Sequence, residues 1–247
     1  MFTLLVVLIG FCSKGQTNIY GSLLRFHGDV LSTSGDNVKI ADNSTLDFNA
    51  SQSFSIQFWI FPKDLITTNG TQGIITKKSK STEGYGVFWE VSAALSTFKF
   101  ILNDGSVKTL SGPNISNINS NGWLHISAVM ERDANGASDS IFMYFDGVLV
   151  AKDEVSTIDD LSNSRDLFMM RYSLDNAQET SEGYLDEVRV WKVALSPREI
   201  KRTYNESIYE GGSGLVRTSE TNRYTLLNWA DLVMYHDMED SPSGLQI

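Results

Sequence analysis

Apolar residues recur at every second position along much of the chain. In residues 53–61 the apolar positions on one side are Phe54, Ile56, Phe58 and Ile60. A period of two is typical of a β-strand that turns one face to a core. Pro62 predicts the end of this strand, since proline cannot donate to a ladder. About a dozen segments of this kind follow one another, which favours a β-sandwich or barrel.

Turn signals and a single helix start punctuate these segments. Asp104-Gly105 and Asp146-Gly147 each stand between two alternating stretches, as in short β-hairpin loops. Ser196 is placed to cap a helix that begins at Pro197, and Glu199 completes a capping box. The pattern therefore predicts an all-β chain with one short C-terminal helix.

Seven segments between Leu23 and Asn205 follow one another in an informative order. They are LRFHGDVLSTSGDNVKIADNSTLDF, SFSIQFWIFPKD, GIITKKS, GYGVFWEV, NGWLHISAVMER, SIFMYFDGVLVAK and GYLDEVRVWKVALSPREIKRTYNE. This order resembles laminin-G-like jelly rolls of the concanavalin A-like lectin/glucanase superfamily, in the form found in secreted bacterial proteins. The resemblance implies a two-sheet antiparallel jelly-roll sandwich over residues 23–208. The departures are His27, where the family usually has Asp, and an insertion at residues 29–34.

Composition and charge exclude some classes of partner. Of 247 residues 41% are apolar and 20% are charged, which is enough apolar surface for a sizeable core. The formal net charge is −10, and the longest basic run is residues 77–80. A nucleic-acid-binding surface needs a basic patch, so nucleic acid is not expected as a partner. An acidic chain is also unsuited to anionic membranes but suits cation binding.

The N-terminus predicts export. The apolar run Leu4–Phe11 is too short to span a bilayer and is typical of a signal peptide. Ser13 and Gly15 precede a cleavage point before Gln16, so residues 1–15 are assigned to the signal. We expect a secreted or cell-surface protein with no membrane insertion after signal removal. Two alternatives stay open, a lipoprotein anchored through Cys12 and an apolar first strand.

The C-terminal residues 209–247 are interpreted as a separate segment. Residues 210–214, Glu-Gly-Gly-Ser-Gly, have the composition of a flexible linker. The following LLNWADLVMYHDMEDSPSG resembles the opening of a further module in such proteins. We therefore expect a linker and the start of a truncated following segment.

The sequence carries no recognisable catalytic constellation. A retaining glycosidase needs two carboxyl groups about 5 Å apart. The nearest acidic pair, Asp186 and Glu187, is adjacent in a predicted strand and points to opposite faces. His125 is interpreted as a half-buried, hydrogen-bonded residue. The chain is predicted not to be an enzyme.

Asp186 is the main candidate for a metal ligand. It has the same strand parity as Val188 and Val190, which points it toward the core, where a carboxylate needs a partner. The family resemblance implies one structural calcium ion held by this aspartate and by backbone carbonyls, with Gly28 or Asp36 completing the set. The mixed oxygen donors suit calcium. The alternative is that Asp186 caps loop amides.

Aromatic side chains are the candidates for ligand binding. Trp59 and Trp123 match core positions of the family, whereas Trp89 and Tyr85 share a face near a Lys-rich loop. Tyr85 and Trp89 are therefore predicted to bind ligand. The predicted function is an exported, non-catalytic module that binds carbohydrate or mediates adhesion to a glycan or to a cell-surface or matrix protein. The alternatives are an accessory domain of a polysaccharide-degrading enzyme and a structural spacer.

Overall fold

Two antiparallel sheets lie face to face in the structure, which is a computed structural model. It describes residues 23–27, 36–62, 70–78, 83–92, 95–115, 122–133, 138–156, 158–172, 181–218 and 224–237. The predicted signal peptide, Cys12 and Gly28 lie outside the described residues. The all-β, two-sheet antiparallel sandwich is confirmed, and its arrangement is consistent with a jelly roll.

The larger sheet has seven strands and contains both ends of the described chain. In spatial order its strands are β1 (Leu24–Phe26), β12 (Gly183–Trp191), β3 (Phe54–Pro62), β8 (Leu124–Glu131), β9 (Asp139–Phe145) and β10 (Val148–Val155). The seventh strand, β16 (Leu232–His236), pairs with β12 beyond the end of β1. As predicted, β3 ends at Pro62.

The smaller sheet has six strands. In spatial order they are β2 (Val38–Ile40), β11 (Leu167–Met169), β4 (Gly70–Lys77), β5 (Gly84–Ser92), β6 (Leu95–Asn103) and β7 (Val107–Ser111). A three-stranded sheet stands apart from both, with strands β13 (Ile208–Glu210), β14 (Leu215–Thr218) and β15 (Tyr224–Asn228). Two 3₁₀ turns, Ser44–Leu46 and Trp229–Asp231, complete these elements.

The main core lies between the two large sheets. The residues predicted to fill it are all completely buried: Phe54, Ile56, Phe58, Val188 and Val190. Phe98 and Phe100 of β6 belong to the same apolar cluster from the opposite sheet. Alternation alone thus identified the inner face, because successive side chains of a strand point to opposite faces of the sheet and every second residue therefore shares a face.

The helix α1 (Pro197–Thr203) begins where the sequence predicts. Ser196 Oγ accepts a hydrogen bond from the Glu199 amide at 3.2 Å, and Pro197 occupies the first turn. Ile200 is fully buried in a second apolar cluster that includes Trp191 on the outer face of the larger sheet. The helix therefore covers the side of this sheet that faces away from the main core. No helix in the described parts of the chain has the length and apolar character needed to span a membrane.

The residues predicted as a linker form a β-turn region instead. The Gly214 amide donates to Gly211 O at 2.9 Å, and the Gly211 amide donates to Leu215 O at 2.8 Å. Gly214 has φ +73°, which glycine adopts without strain. These contacts join β13 to β14, and Val216 is buried in the second cluster. Residues 210–214 thus form a turn between paired strands here, and the division of the chain into a domain, a linker and a following segment stays a prediction.

Candidate functional site

The two predicted ligand-binding aromatics lie in the core. Tyr85 is 0% exposed and Trp89 is 4% exposed. The Tyr85 hydroxyl donates to Leu46 O at 2.8 Å, and the Trp89 ring contacts Phe98 with centroids 4.3 Å apart. Neither ring offers a face to a ligand, so this prediction is corrected. The sequence already indicated this burial, because Tyr85, Val87 and Trp89 are spaced two residues apart in one strand and all three side chains point into the core.

Asp186 lies on the outer face and does not point toward the core. The pairing of β12 with β3 slips between Asp186 and Arg189, where Glu187 adopts φ +52°. This bulge turns both Leu185 and Val188 inward, which leaves Asp186 opposite Trp59. The Asp186 carboxylate accepts a hydrogen bond from the Glu187 amide at 2.8 Å. The contact agrees with the amide-capping alternative.

The residues predicted as calcium ligands do not form one site. The Asp36 carboxylate lies 3.1 Å from the His27 amide and 2.9 Å from its ring nitrogen. His27 comes just after the Phe26–Gly183 pair, at one end of the β1–β12 pairing, and Asp186 comes just after the Leu24–Leu185 pair, at the other end. The two residues are therefore separated by about four residues along the strands. Four residues of strand span about 13 Å, whereas two calcium ligands lie within about 5 Å of each other.

The remaining donors do not rescue this calcium site. Gly28 lies outside the described residues. Across the part of the chain that the structure describes, no three His, Cys, Asp or Glu side chains are grouped as a metal site requires. Asp186 and Asp36 thus do not share one site among the described residues, and calcium binding through Asp186 and backbone carbonyls stays a prediction.

A buried ionic network fixes the outer face of β12. Arg189 is 1% exposed and forms an ion pair with Glu187. The Arg189 guanidinium donates to Thr203 O and to Glu206 O, each at 2.7 Å. The Glu187 carboxylate also accepts from Tyr235 Oη at 2.9 Å, and burial together with this carboxylate raises the pKa of Tyr235. The network has all its charges engaged, so it is a structural clamp for the C-terminal segment.

His125 lies beside this network with neither ring nitrogen hydrogen-bonded. It is 1% exposed, and its ring packs against Trp59 and Tyr204 with centroids 5.3 and 5.8 Å apart. Burial, and then the nearby Arg189 charge, lower the pKa of His125 well below its usual 6.5. The imidazole is therefore neutral at pH 7. The expectation of a half-buried, hydrogen-bonded histidine is wrong on both points.

A row of four side chains crosses the outer face of the larger sheet near one end. Arg25 is paired with Tyr184, Tyr184 with Phe61, and Phe61 stands next to Trp123, the residue before β8. The guanidinium carbon of Arg25 lies 5.9 Å from the Tyr184 ring centroid. The ring centroids are 5.9 Å apart for Tyr184 and Phe61 and 6.0 Å apart for Phe61 and Trp123. We name these four residues the outer-face row.

The outer-face row differs from the other aromatic groups in its exposure. All four members are half-buried, whereas Trp59 and Trp191, on the same side of the sheet, are buried. The row therefore combines ring surface that reaches solvent with one cation at its end. Phe61 meets Tyr184 and Trp123 edge-to-face, at 81° and 73°, so a ligand would pack on one ring face and contact the edges of its neighbours. The arginine can attract an anionic group.

The sequence did not predict the outer-face row. Trp123 was expected in the core, but it lies outside it and is half-buried. Its four members come from distant parts of the chain, and only the strand order of the sheet brings them together. One feature of the sequence could have indicated part of it. Phe61 is two residues from Trp59 in β3, so both side chains lie on the face opposite to the core-facing residues of that strand.

The chain belongs to a known family of β-sandwich domains. The family model described as Laminin_G_3, Concanavalin A-like lectin/glucanases superfamily, matches residues 32–201, which is more than half of the chain. The resemblance seen in the order of the strands is thereby confirmed. No curated protein matches the chain.

Solved structures of distant proteins share the fold. A heptameric SAP-like pentraxin from Limulus polyphemus is 17% identical, with a TM-score of 0.56 over 90% of this chain and 94% of the pentraxin. A putative carbohydrate binding protein from Bacteroides ovatus is 15% identical, with a TM-score of 0.53 over 83% of this chain and 56% of that protein.

A third similar structure is that of botulinum neurotoxin type C, whose cell entry depends on interaction with two ganglioside molecules. It is 16% identical, with a TM-score of 0.54 over 77% of this chain and 44% of the toxin chain. The chain thus spans about half the length of the last two proteins. At these identities the likeness concerns the fold alone.

Proposed function

We propose that this domain is an exported, non-catalytic module that binds carbohydrate on the outer-face row. The observation that carries the proposal is the compact group of half-buried rings formed by Tyr184, Phe61 and Trp123, in which every pair of ring centroids lies within 6.3 Å. Sugar rings have apolar C–H faces that pack on aromatic rings, and their hydroxyls remain in water. A rigid sheet holds the three rings in place, so little conformational entropy is lost on binding.

The comparisons support a binding role without assigning a ligand. The Bacteroides ovatus protein is described as a putative carbohydrate binding protein, and cell entry of the neurotoxin depends on interaction with two ganglioside molecules. Only part of each protein is covered, so their ligand sites are not transferred to this chain. Adhesion to a glycan at a cell surface follows from the proposal if the predicted export signal operates.

The proposal includes the absence of catalysis. The outer-face row consists of three aromatic residues and one arginine, and it contains no carboxyl group for acid–base chemistry. The same module would serve as an accessory domain if the chain is part of a polysaccharide-degrading enzyme. In either setting this domain itself should release no reducing sugar from a glycan that it binds.

A glycan array with the full chain tests the proposal. We expect binding to a subset of glycans, and we expect Trp123→Ala and Tyr184→Ala each to weaken it. The matched control is Tyr209→Ala, since Tyr209 is an aromatic residue that is 39% exposed but lies on β13, outside the row. Equal loss in all three variants, or glycan binding that ignores Trp123 and Tyr184, would contradict the proposal.

A further inference from the structure

We infer that the outer-face row selects sugars that carry a carboxylate, and that Arg25 is the residue that recognises this group. The inference rests on the proposed function, because it assigns the class of ligand to the same surface. Arg25 lies on β1 at the end of the row, directly paired with Tyr184. A sugar stacked on the rings therefore has the guanidinium beside its edge.

Arg25 shares a buried Nε without a hydrogen-bond partner with Arg189 and Arg217. It differs from Arg132 and Arg189 in having no carboxylate partner among the described residues. By contrast, Arg132 is paired with Asp139 at 2.9 Å, and Arg189 is paired with Glu187. Arg189 also leaves Nε unpaired, but its terminal nitrogens are occupied by a carboxylate and two carbonyl oxygens.

The side chain of Arg25 is held in place by a ring and not by an acid. Its contact in the described chain is the Tyr184 ring at 5.9 Å, and none of the ion pairs between described residues includes Arg25. The buried Nε is closed to a ligand, whereas the two terminal nitrogens of Arg25 are not among the buried unpaired atoms. These terminal N–H groups are therefore the ones that can donate to an acceptor on a ligand, while the Tyr184 ring contacts the guanidinium from one side.

The geometry of the guanidinium favours a carboxylate over a hydroxyl. Its planar fork can donate two parallel hydrogen bonds to the two oxygens of one carboxylate. Charge-assisted bonds of this kind are about twice as strong as neutral ones. Uronic acids and sialic acids both place a carboxylate on a sugar ring, and the inference covers the chemistry that they share.

The overall charge of the chain does not explain such a preference. With a net charge of −10 the protein repels anions at a distance. An acidic sugar would therefore be retained by the local contact with Arg25 and not by a general electrostatic attraction. This difference makes the contribution of a single residue measurable.

Two matched pairs of ligands test the inference by calorimetry on the full chain. The first pair is oligogalacturonate and its carboxyl-reduced form, and the second is 3′-sialyllactose and lactose. We expect the acidic member of at least one pair to bind at least about tenfold more tightly, as loss of one charge-assisted contact implies. The pair that shows the difference identifies the source of the carboxylate.

Variants separate this inference from the proposed function. Arg25→Gln should weaken binding of the acidic member more than binding of the neutral member and so remove the acidic preference, whereas Trp123→Ala should weaken both and keep their ratio. Equal affinity of the unchanged chain for acidic and neutral members would overturn the inference and leave the binding proposal standing. An Arg25→Gln variant that weakens both members equally would also overturn the inference, since Arg25 would then only hold the aromatic rings of the outer-face row in place. Failure of the chain to bind any glycan on the array would overturn both.

Discussion

Glu187 and Arg189 form an ion pair on the outer face of β12, and both side chains are buried. The bulge at Glu187 brings its carboxylate alongside Arg189 and Tyr235. Ser207 Oγ donates to the same carboxylate at 2.6 Å. The pair thus connects the sandwich to the segment that follows α1.

Removal of one member of this pair should be strongly destabilising. We expect Glu187→Ala to lower the free energy of unfolding by about 3–5 kcal/mol, because it leaves the buried Arg189 charge uncompensated. The control is Glu154→Ala, which breaks the exposed pair with Lys152 and should cost less than about 1 kcal/mol. Denaturant unfolding measures both, and similar small losses in the two variants would show that the network is not a clamp.

The segment after α1 should be required for stability. Ile208, Val216 and Leu227 are buried against Trp191 and its neighbours. A chain that ends at Ser207 should therefore unfold at a lower temperature and bind a hydrophobic dye, whereas a chain that ends at Asp237 should not. Equal unfolding temperatures for the two chains would instead support the linker that the sequence suggested.

The sequence identified the inner face of the sandwich but not the arrangement on the outer one. Alternation in β3 and the capping residues Ser196 and Pro197 are local features, and the structure confirms both. The bulge at Glu187 coincides with two consecutive polar residues, Asp186 and Glu187, and counting every second residue back from Val190 and Val188 passes through it without notice. An inserted residue in a strand reverses the parity of everything before it. For this reason Asp186 was assigned to the wrong face.

The exposure of aromatic residues could not be read from the sequence either. Trp89 and Trp123 each have an apolar neighbour in the sequence, Phe88 and Leu124. The first is buried between the sheets, and the second lies on the far side of the larger sheet, outside the apolar cluster that includes Ile200 of α1. That difference depends on packing between elements that are distant in the sequence. Alternation within one strand shows which residues share a face, but it does not show what covers that face.

Asp186 should stabilise the fold in the same way with and without calcium. Its carboxylate accepts the Glu187 amide in the bulge, so Asp186→Ala should lower the free energy of unfolding by about 1–3 kcal/mol. The loss should be the same in millimolar calcium and in chelator, and Asp186→Asn, which keeps an acceptor, should lose less. A loss that appears only when calcium is present would restore Asp186 as a metal ligand.

His125 should make the domain sensitive to acid. Because burial lowers the pKa of His125 below 6.5, the unfolded chain binds a proton that the folded chain does not. Stability should therefore fall as the pH drops below 6.5, by up to about 1.4 kcal/mol per pH unit from this residue, until the folded-state pKa is reached.

His125→Phe tests this without removing a hydrogen bond, since neither ring nitrogen has a partner. The variant should match or exceed the original stability at pH 7 and lose less of it between pH 6.5 and 5. Above pH 7 the two proteins should show the same pH dependence. An identical decline in acid would assign the acid sensitivity to other groups.

A ligand on the outer-face row should contact Trp123, and the five tryptophans of the chain allow this contact to be tested directly. Indole N–H resonances are followed by NMR during titration with a glycan selected on the array, with Trp123→Phe used to assign the Trp123 signal. The Trp123 indole should shift progressively with ligand, while the buried indoles of Trp59, Trp89 and Trp191 should stay in place. A bound glycan that leaves the Trp123 resonance unmoved would contradict the account.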